Sequence, residues 1–356
     1  MARINRFDFT TLPINLLYLL YYEYRKNAKE SLNFSFFEYG KNSNGNPDDD
    51  RWEMYLELQE MYAILQRWYN DKELYHYLGF LFFNFKAQTP FRDIYTQWKA
   101  LNSRDKFLKN IQHTIATRML DRYLEETEKA APDYQKCLKT MTEAISDFRE
   151  NWYNNDKELY QILILLDIFR ILDSKSIKKL PTDYFTRKSG QKDGEDKEHI
   201  LSQTPRKDNG EIATIKTDWE RFAQSEDFKD IRSQMQEILN HSDAELTEQE
   251  LTQLQNLLNS AGLNSIGNMV LLDLRINRSY GNADYAHKRT IIFQEYMNQK
   301  YVRPHTLAVF MKGDIDAREA TGIPLNRWTL EDIKRNTDKI AKEIGKNFNA
   351  WLTQNN

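Results

Sequence analysis

The chain has 356 residues, 40% of them hydrophobic, and a formal net charge of −3. This composition excludes an intrinsically disordered protein, and the net charge excludes a global attraction to nucleic acid, so any DNA binding depends on local basic patches. A single cysteine, Cys137, excludes an intrachain disulfide framework and a cysteine-based zinc site.

Length and residue usage indicate the general class of protein. The length is sufficient for two domains, each with its own hydrophobic core. Only 12 glycines and 8 prolines occur beside 20 tyrosines and 19 phenylalanines, which favours a mainly α-helical fold with an aromatic core. The N-terminus lacks the apolar run of a signal peptide, and the apolar stretch 16–22 is too short to span a bilayer. We therefore expect a cytoplasmic protein that does not enter a membrane.

Hydrophobic residues recur at helical spacing through the first half of the chain, which predicts an N-terminal helical bundle. His76 stands at the start of one apolar run, and we interpret it as a satisfied core or edge histidine and not as a ligand, because no second His or Cys stands at helical spacing from it. The predicted helices cover residues 10–30, 54–68, 77–85, 107–128, 134–152 and 162–172.

A short motif occurs twice within this bundle. Residues 68–75 read Trp-Tyr-Asn-Asp-Lys-Glu-Leu-Tyr, and residues 152–160 repeat them with one inserted asparagine. In both copies an asparagine stands three residues before a glutamate, which is typical of a helix start. The motif could form a duplicated recognition surface, but we prefer two similar helix starts packed in one bundle.

The composition changes at residues 173–197, where polar residues and glycine crowd together without hydrophobic periodicity. A domain boundary in this segment gives a helical domain over 1–180 and a second domain over 181–356. An insertion at 206–262, largely helical, separates two short strand-like segments of the second domain. Helices are predicted at 246–258 in the insertion, at 285–297, and after Trp328.

The two strand-like segments carry the candidate chemistry. Segment 198–203 contains Glu198 and His199, and histidine titrates near neutrality, so His199 could deprotonate a water that attacks a phosphodiester. Mg²⁺ prefers hard oxygen ligands and keeps several waters, so Glu198 and Asn277 are candidate metal ligands. Asn268 precedes the second strand, where its amide can bridge backbone groups of the loop that carries His199. Since adjacent strand residues face opposite sides, this arrangement requires a distorted strand end.

Basic residues are in excess after the second strand. Between residues 274 and 305, six lysines and arginines stand against two acidic residues, a candidate surface for phosphate contacts. For any one of them, a solvated helix face is an equally good interpretation. The six are Arg275, Arg278, Lys288, Arg289, Lys300 and Arg303.

The joint pattern is more specific than its parts. It reads Glu-His-Ile-Leu-x-Gln from residue 198, Ile-Gly-Asn-x-x-Leu-Leu from 266, Asn-x-x-x-x-Asn from 277, and Lys-Arg at 288. This pattern resembles the HNH (His-Me finger, ββα-metal) nucleases. It is most similar to the C-terminal nuclease domain of the GmrSD-type modification-dependent restriction endonucleases, and the similarity covers roughly residues 50–356.

This resemblance implies a mainly α-helical chain, in which an N-terminal helical bundle precedes an HNH nuclease domain embedded in helices. It implies a DNA endonuclease of a restriction or anti-phage defence system, with Mg²⁺ or Mn²⁺ as cofactor. His199 would be the general base, Glu198 and Asn277 would contact the metal, and Asn268 would hold the loop. The residues expected to bind substrate are Lys288, Arg275, Arg278 and Asn282.

The resemblance also bears on the partners of the chain and on an alternative function. GmrSD-type proteins commonly begin with a ParB-like nucleotide-binding domain bearing an Asp-Gly-Gln-Gln-Arg motif, which is absent from this sequence, so a separate ParB-like subunit is an expected partner. One nuclease centre can nick, whereas a double-strand break needs dimerisation or two events, so a homo-oligomer stays open. The alternative function is a catalytically inactive HNH-fold subunit that binds DNA or acts as an adaptor.

Overall fold

The computed structural model describes residues 47–85, 91–176, 179–187, 194–202, 204–205, 211–276, 285–312 and 326–353. The helix predicted at 10–30 lies outside these residues.

Two compact units make up the chain. The first unit comprises Met1–Met119, Ile171–Thr186 and Gln354–Asn356, and the second comprises Leu120–Arg170 and Arg187–Thr353. By packing, residues 120–170 therefore join the unit that contains both strands, and the division at residue 180 remains a prediction about domains.

The first unit is built from helices around an aromatic core. The Trp68 ring stacks on the Phe107 ring with 5.5 Å between centroids. In the first copy of the repeated motif the cap of the following helix is Asp71, whose carboxylate accepts the backbone N–H groups of Glu73 and Leu74. The helices are α1 Pro47–Asn70, α2 Lys72–Asn84, α3 Phe91–Leu101 and α4 Arg104–Leu120.

His76 is a satisfied core histidine, as expected. Its Nε2 accepts the Leu180 N–H at 2.9 Å, and its Nδ1 donates to the Lys72 carbonyl oxygen at 2.5 Å. Burial lowers the pKa of His76 to about 4, so the neutral ring is the form that the fold favours.

The remaining helices belong mainly to the second unit, which also contains a small sheet. The helix predicted at 134–152 ends earlier, at Ser146, and the helix predicted at 107–128 ends at Leu120. Thr247 and Glu250 form a capping box at the start of the predicted insertion helix. The helices are α5 Tyr134–Ser146, α6 Asp156–Asp173, α7 Lys216–Ala223, α8 Arg232–Asn240, α9 Glu248–Ser260, α10 Tyr285–Met297, α11 Pro304–Met311 and α12 Leu330–Thr353.

The sheet consists of two antiparallel strands, β1 Glu195–His199 and β2 Met269–Asp273. Glu195 pairs with Asp273 and His199 pairs with Met269. The first strand lies earlier than the predicted segment 198–203, because Ile200 and Leu201 follow the strand end and are buried in the core of the second unit. Their apolar character therefore reflects burial in the core and not pairing in the sheet.

The fold is thus mainly α-helical and contains a small ββα region, as predicted. Within the described ranges, no helix combines the length and the apolar character that crossing a membrane requires.

Helix α12 packs against α5 and against the short 3₁₀ turn Ile266–Asn268, which leads into β2. A Cβ atom at Gly267 would lie 2.3 Å from the Ile333 carbonyl oxygen and 2.3 Å from Thr337 Oγ1. Asn336 Nδ2 also donates to the Gly267 carbonyl oxygen at 2.8 Å. Only glycine permits this approach, and α12 thereby fixes the turn that carries Asn268.

We expect Gly267→Ala to lower the free energy of unfolding by about 2–3 kcal/mol, because backbone atoms of α12 must move to admit the methyl group. Urea unfolding measures the change. Gly345→Ala is the matched control. Gly345 lies on α12 itself, and its added Cβ would meet only Thr142 Cγ2, at 3.1 Å. Equal stabilities of the two variants would contradict the explanation.

Candidate active site

Glu198 and His199 are the last two residues of β1. Lys288, on α10, reaches them with a side chain that is 1% exposed. Its ammonium donates to Glu198 Oε1 at 2.7 Å and to the His199 carbonyl oxygen at 2.7 Å. The lysine thus holds the carboxylate and the strand end together.

The contacts of Lys288 bear on its predicted contact with substrate. Its ammonium is buried and already hydrogen-bonded to Glu198 and to the backbone of His199. Binding of DNA phosphate by Lys288 remains a prediction, and the role visible in the structure is to orient Glu198.

The imidazole of His199 is contacted through its edge and its face. Its Nε2 lies 2.9 Å from Asn264 Oδ1, and Asn264 Nδ2 donates to Asn259 Oδ1 at 2.6 Å. The Tyr153 ring stacks on the imidazole with 4.8 Å between centroids and 20° between planes. Lys197 lies over the same tyrosine, with its ammonium 4.1 Å from the ring centroid. The orientation of His199 is therefore set by residues distant from it in the sequence.

Asn268 is fully buried and joins three backbone groups. Its Oδ1 accepts the Leu201 N–H at 2.8 Å, and its Nδ2 donates to the carbonyl oxygens of Leu201 at 3.0 Å and Leu263 at 2.9 Å. The Asn268 carbonyl oxygen accepts the Ile200 N–H at 2.9 Å. These bonds pin the loop that follows His199 against the turn that precedes β2.

The other end of β1 is held by a buried ionic cluster. Arg303 donates to Glu195 Oε1 at 2.8 Å and Oε2 at 2.7 Å, and to Asp167 Oδ2 at 2.8 Å. Asp167 Oδ1 also accepts the His305 N–H at 2.8 Å, near the start of α11. Burial raises the pKa of Asp167 above its ordinary value, although Arg303 opposes this. The cluster ties β1 to α6 and α11.

Arg275 does not lie at the strand end that carries Glu198 and His199, because it follows Asp273, which pairs with Glu195 at the other end of β1. Arg275 is exposed and donates to both carboxylate oxygens of Asp273, at 3.2 and 3.3 Å. Asn277, Arg278 and Asn282 lie outside the described residues, so their predicted roles in binding metal or substrate remain predictions.

The donor set at the strand end suits a hard, well-hydrated cation. Glu198 supplies one carboxylate, and Mg²⁺ commonly binds through one or two protein oxygens while keeping several waters. Among the residues that the structure describes, no group of three or more His, Cys, Asp or Glu side chains could hold a metal ion. The described residues therefore provide one carboxylate at the strand end and no closed protein cage, and binding of Mg²⁺ or Mn²⁺ remains a prediction.

Comparison with known proteins identifies the family. The family model described as GmrSD restriction endonucleases, C-terminal domain, matches residues 142–343, more than half of the chain. The chain belongs to this family. The predicted resemblance is thereby confirmed, and the GmrSD C-terminal domain is that of a restriction endonuclease. No curated protein and no solved structure matches the chain.

The GmrSD match begins within α5 and includes residues that sequence reasoning did not assign to the site. Tyr153 was visible only as part of the repeated motif, whose second copy lies against His199. Asn264 stands two residues before the recognised pattern that begins at Ile266, but nothing in its local sequence indicates a contact with His199. Arg303 was predicted only as one of six basic residues of a phosphate-contact surface, but it is buried and paired with Asp167 and Glu195, which lie far from it in the chain.

Proposed function

We propose that this chain is a metal-dependent DNA endonuclease of the HNH type that hydrolyses phosphodiester bonds in restriction or anti-phage defence. One observation carries the proposal: in a member of the GmrSD family, β1 ends in an adjacent carboxylate and imidazole, each hydrogen-bonded to a buried side chain. Hydrolysis of a phosphodiester needs a base for the attacking water and a cation for the phosphate.

Each residue at the strand end has a defined part in this proposal. His199 takes a proton from the attacking water, and Tyr153 limits the rotation of its ring. Glu198 and Asn277 would hold Mg²⁺ or Mn²⁺, which when bound supplies positive charge to the phosphate and the leaving oxygen. Lys288 keeps the Glu198 carboxylate in place, and Asn268 keeps the loop after His199 in place.

The direct test is cleavage of a plasmid by the purified protein with Mg²⁺ or Mn²⁺. We expect nicked or linear products, and we expect His199→Ala to reduce the cleavage rate by about 10²–10⁴-fold, the usual contribution of a general base. His241→Ala is the matched control, because this exposed histidine belongs to the insertion and bonds only locally to the Glu237 carbonyl oxygen. Equal cleavage by wild type and His199→Ala would contradict the proposal.

Metal titration separates the endonuclease from the alternative, an inactive HNH-fold subunit that binds DNA or acts as an adaptor. The endonuclease loses cleavage when the metal is chelated and regains it when the metal is restored. An adaptor would bind DNA without dependence on Mg²⁺ and would not cleave it at any metal concentration.

We also propose a cytoplasmic setting in which the chain works with a separate ParB-like nucleotide-binding subunit. Co-purification with such a protein, and a dependence of cleavage on its nucleotide, are the expected results. Full activity of a monomer by itself would count against both this partner and the need for a homo-oligomer.

A further inference from the structure

Residues from two other segments of the second unit hold the imidazole of His199. Asn264 lies at its Nε2 edge, Tyr153 covers its face, and Asn259 holds the far side of the Asn264 amide. The backbone of Asn264 is fixed as well, because its carbonyl oxygen accepts the Trp152 N–H at 2.9 Å. The amide is therefore held at both its side chain and its backbone.

The polarity of these contacts determines where the imidazole carries its proton. A carboxamide oxygen can only accept a hydrogen bond, so Asn264 Oδ1, 2.9 Å from Nε2, requires a proton on Nε2. In the structure the Asn264 amide presents Oδ1 to His199 and Nδ2 to Asn259 Oδ1, which lies 2.6 Å away. In a neutral imidazole with its proton on Nε2, Nδ1 is the basic nitrogen.

We propose that Asn264 and Asn259 are positioning residues that hold His199 in the Nε2-protonated tautomer, so that Nδ1 accepts the proton of the attacking water. Nδ1 takes one proton from the water, the resulting hydroxide bonds to phosphorus, and the bond to the leaving oxygen breaks, that oxygen keeping the electron pair and taking a proton from solvent water. The imidazolium keeps its Nε2–H bond to Asn264 throughout this step. The catalytic meaning of this inference rests on the proposed nuclease function, whereas the tautomer itself can be measured without it.

The insertion contributes to the site through Asn259. Asn259 lies in the last turn of α9, the helix opened by the capping box of Thr247 and Glu250. Leu254 and Leu258 anchor α9 in the core of the second unit. The insertion thus supplies a rigid support for Asn264, and through it for His199.

Nitrogen-15 NMR of histidine distinguishes the two neutral tautomers, and the resonances that disappear in His199→Gln identify this residue. We expect the wild type to show the Nε2–H form. Asn264→Asp and Asn259→Asp keep an acceptor oxygen at the same position and should retain both this signature and most of the activity. Asn264→Leu removes the oxygen that accepts from His199 Nε2, and Asn259→Leu removes the oxygen that accepts from the Asn264 amide. Both variants should populate both tautomers.

The kinetic expectation is specific to a positioning role. Loss of such an orienting partner typically costs about 10–100-fold, and here the loss should fall on kcat while KM for DNA changes little. Asn256→Leu is the matched control, because Asn256 is exposed on the same helix and should leave tautomer and rate unchanged. We expect Asn259→Leu to fold normally even if Asn264→Leu does not, because Asn259 is only half-buried.

Two results would overturn the inference: an Nδ1–H signature in the wild type, or unchanged tautomer and kcat in both leucine variants. A wild type that shows the Nε2–H form and cleaves no DNA under any metal condition would instead overturn the proposed function. The two failures are therefore distinguishable in the same set of samples.

Discussion

Arg303→Met should lower the free energy of unfolding by about 3–5 kcal/mol, the usual cost of removing one partner from a buried ion pair. Arg303 is 2% exposed, and its partners Asp167 and Glu195 are 1% and 2% exposed. Methionine fills a similar space but removes the guanidinium that both buried carboxylates contact. Urea unfolding, followed by circular dichroism, measures the loss.

The size of this loss should depend on pH. Burial already raises the pKa of Asp167, and removal of the Arg303 guanidinium raises it further. The folded variant then binds more protons than the unfolded chain, so its stability falls as the pH rises from the carboxyl range toward neutrality. We expect a larger loss relative to wild type at about pH 7.5 than at about pH 5.

Arg221→Met provides the matched control for Arg303→Met. The Arg221 side chain is 83% exposed and lies 3.9 Å from Asp218, so its removal should change stability by less than about 0.5 kcal/mol. An Arg303→Met loss as small as that of the control, or equal at both pH values, would refute the importance of the buried cluster.

Asn268→Asp should reduce both stability and cleavage. The aspartate retains an acceptor for the Leu201 N–H but loses the two bonds donated to the carbonyl oxygens of Leu201 and Leu263. It also places a carboxylate against these oxygens in a fully buried position. We expect a loss of about 2–4 kcal/mol in the free energy of unfolding, since buried polar groups lose their partners.

Cleavage by Asn268→Asp should fall by at least about 10-fold even where the protein is fully folded, because small displacements of a catalytic group are costly. The reason is that Leu201, which Asn268 holds, lies two residues after His199. Asn256→Asp makes the same chemical change on an exposed surface and should alter neither property. A folded Asn268→Asp protein with wild-type cleavage would show that the loop tolerates movement.

Helical periodicity predicted the scaffold well, because most helices bury one apolar face. The predicted segments at 54–68, 162–172 and 285–297 each lie in a helix of the structure, and so does 77–85 except for Phe85, the C-cap of α2. Helix ends were less accurate: α4 stops at Leu120, where the periodic pattern continues. A local sequence pattern indicates which residues are buried. It indicates less reliably the residue at which helical hydrogen bonding ends.

The first strand, β1, was harder to predict from the sequence than the helices. The sequence Glu-Asp-Lys-Glu-His of β1 has no apolar alternation, so its charges concealed a strand that pairs with the apolar β2. Those charges are matched from other segments: Glu195 by Arg303, Lys197 by Asp156 and Glu198 by Lys288. Such pairings are long-range, and a single sequence does not reveal them. The adjacent Glu198 and His199, by contrast, were recognisable from the motif.

The contacts that hold the proposed catalytic base also determine when it can work. Hydrogen bonds at or beside His199 join residues 65, 67 and 89 positions apart in the chain. During synthesis on the ribosome, His199 therefore emerges well before Asn264, Asn268 and Lys288. A nascent or truncated chain carries the histidine without the groups that orient it, so the site is assembled only after Lys288 has been translated.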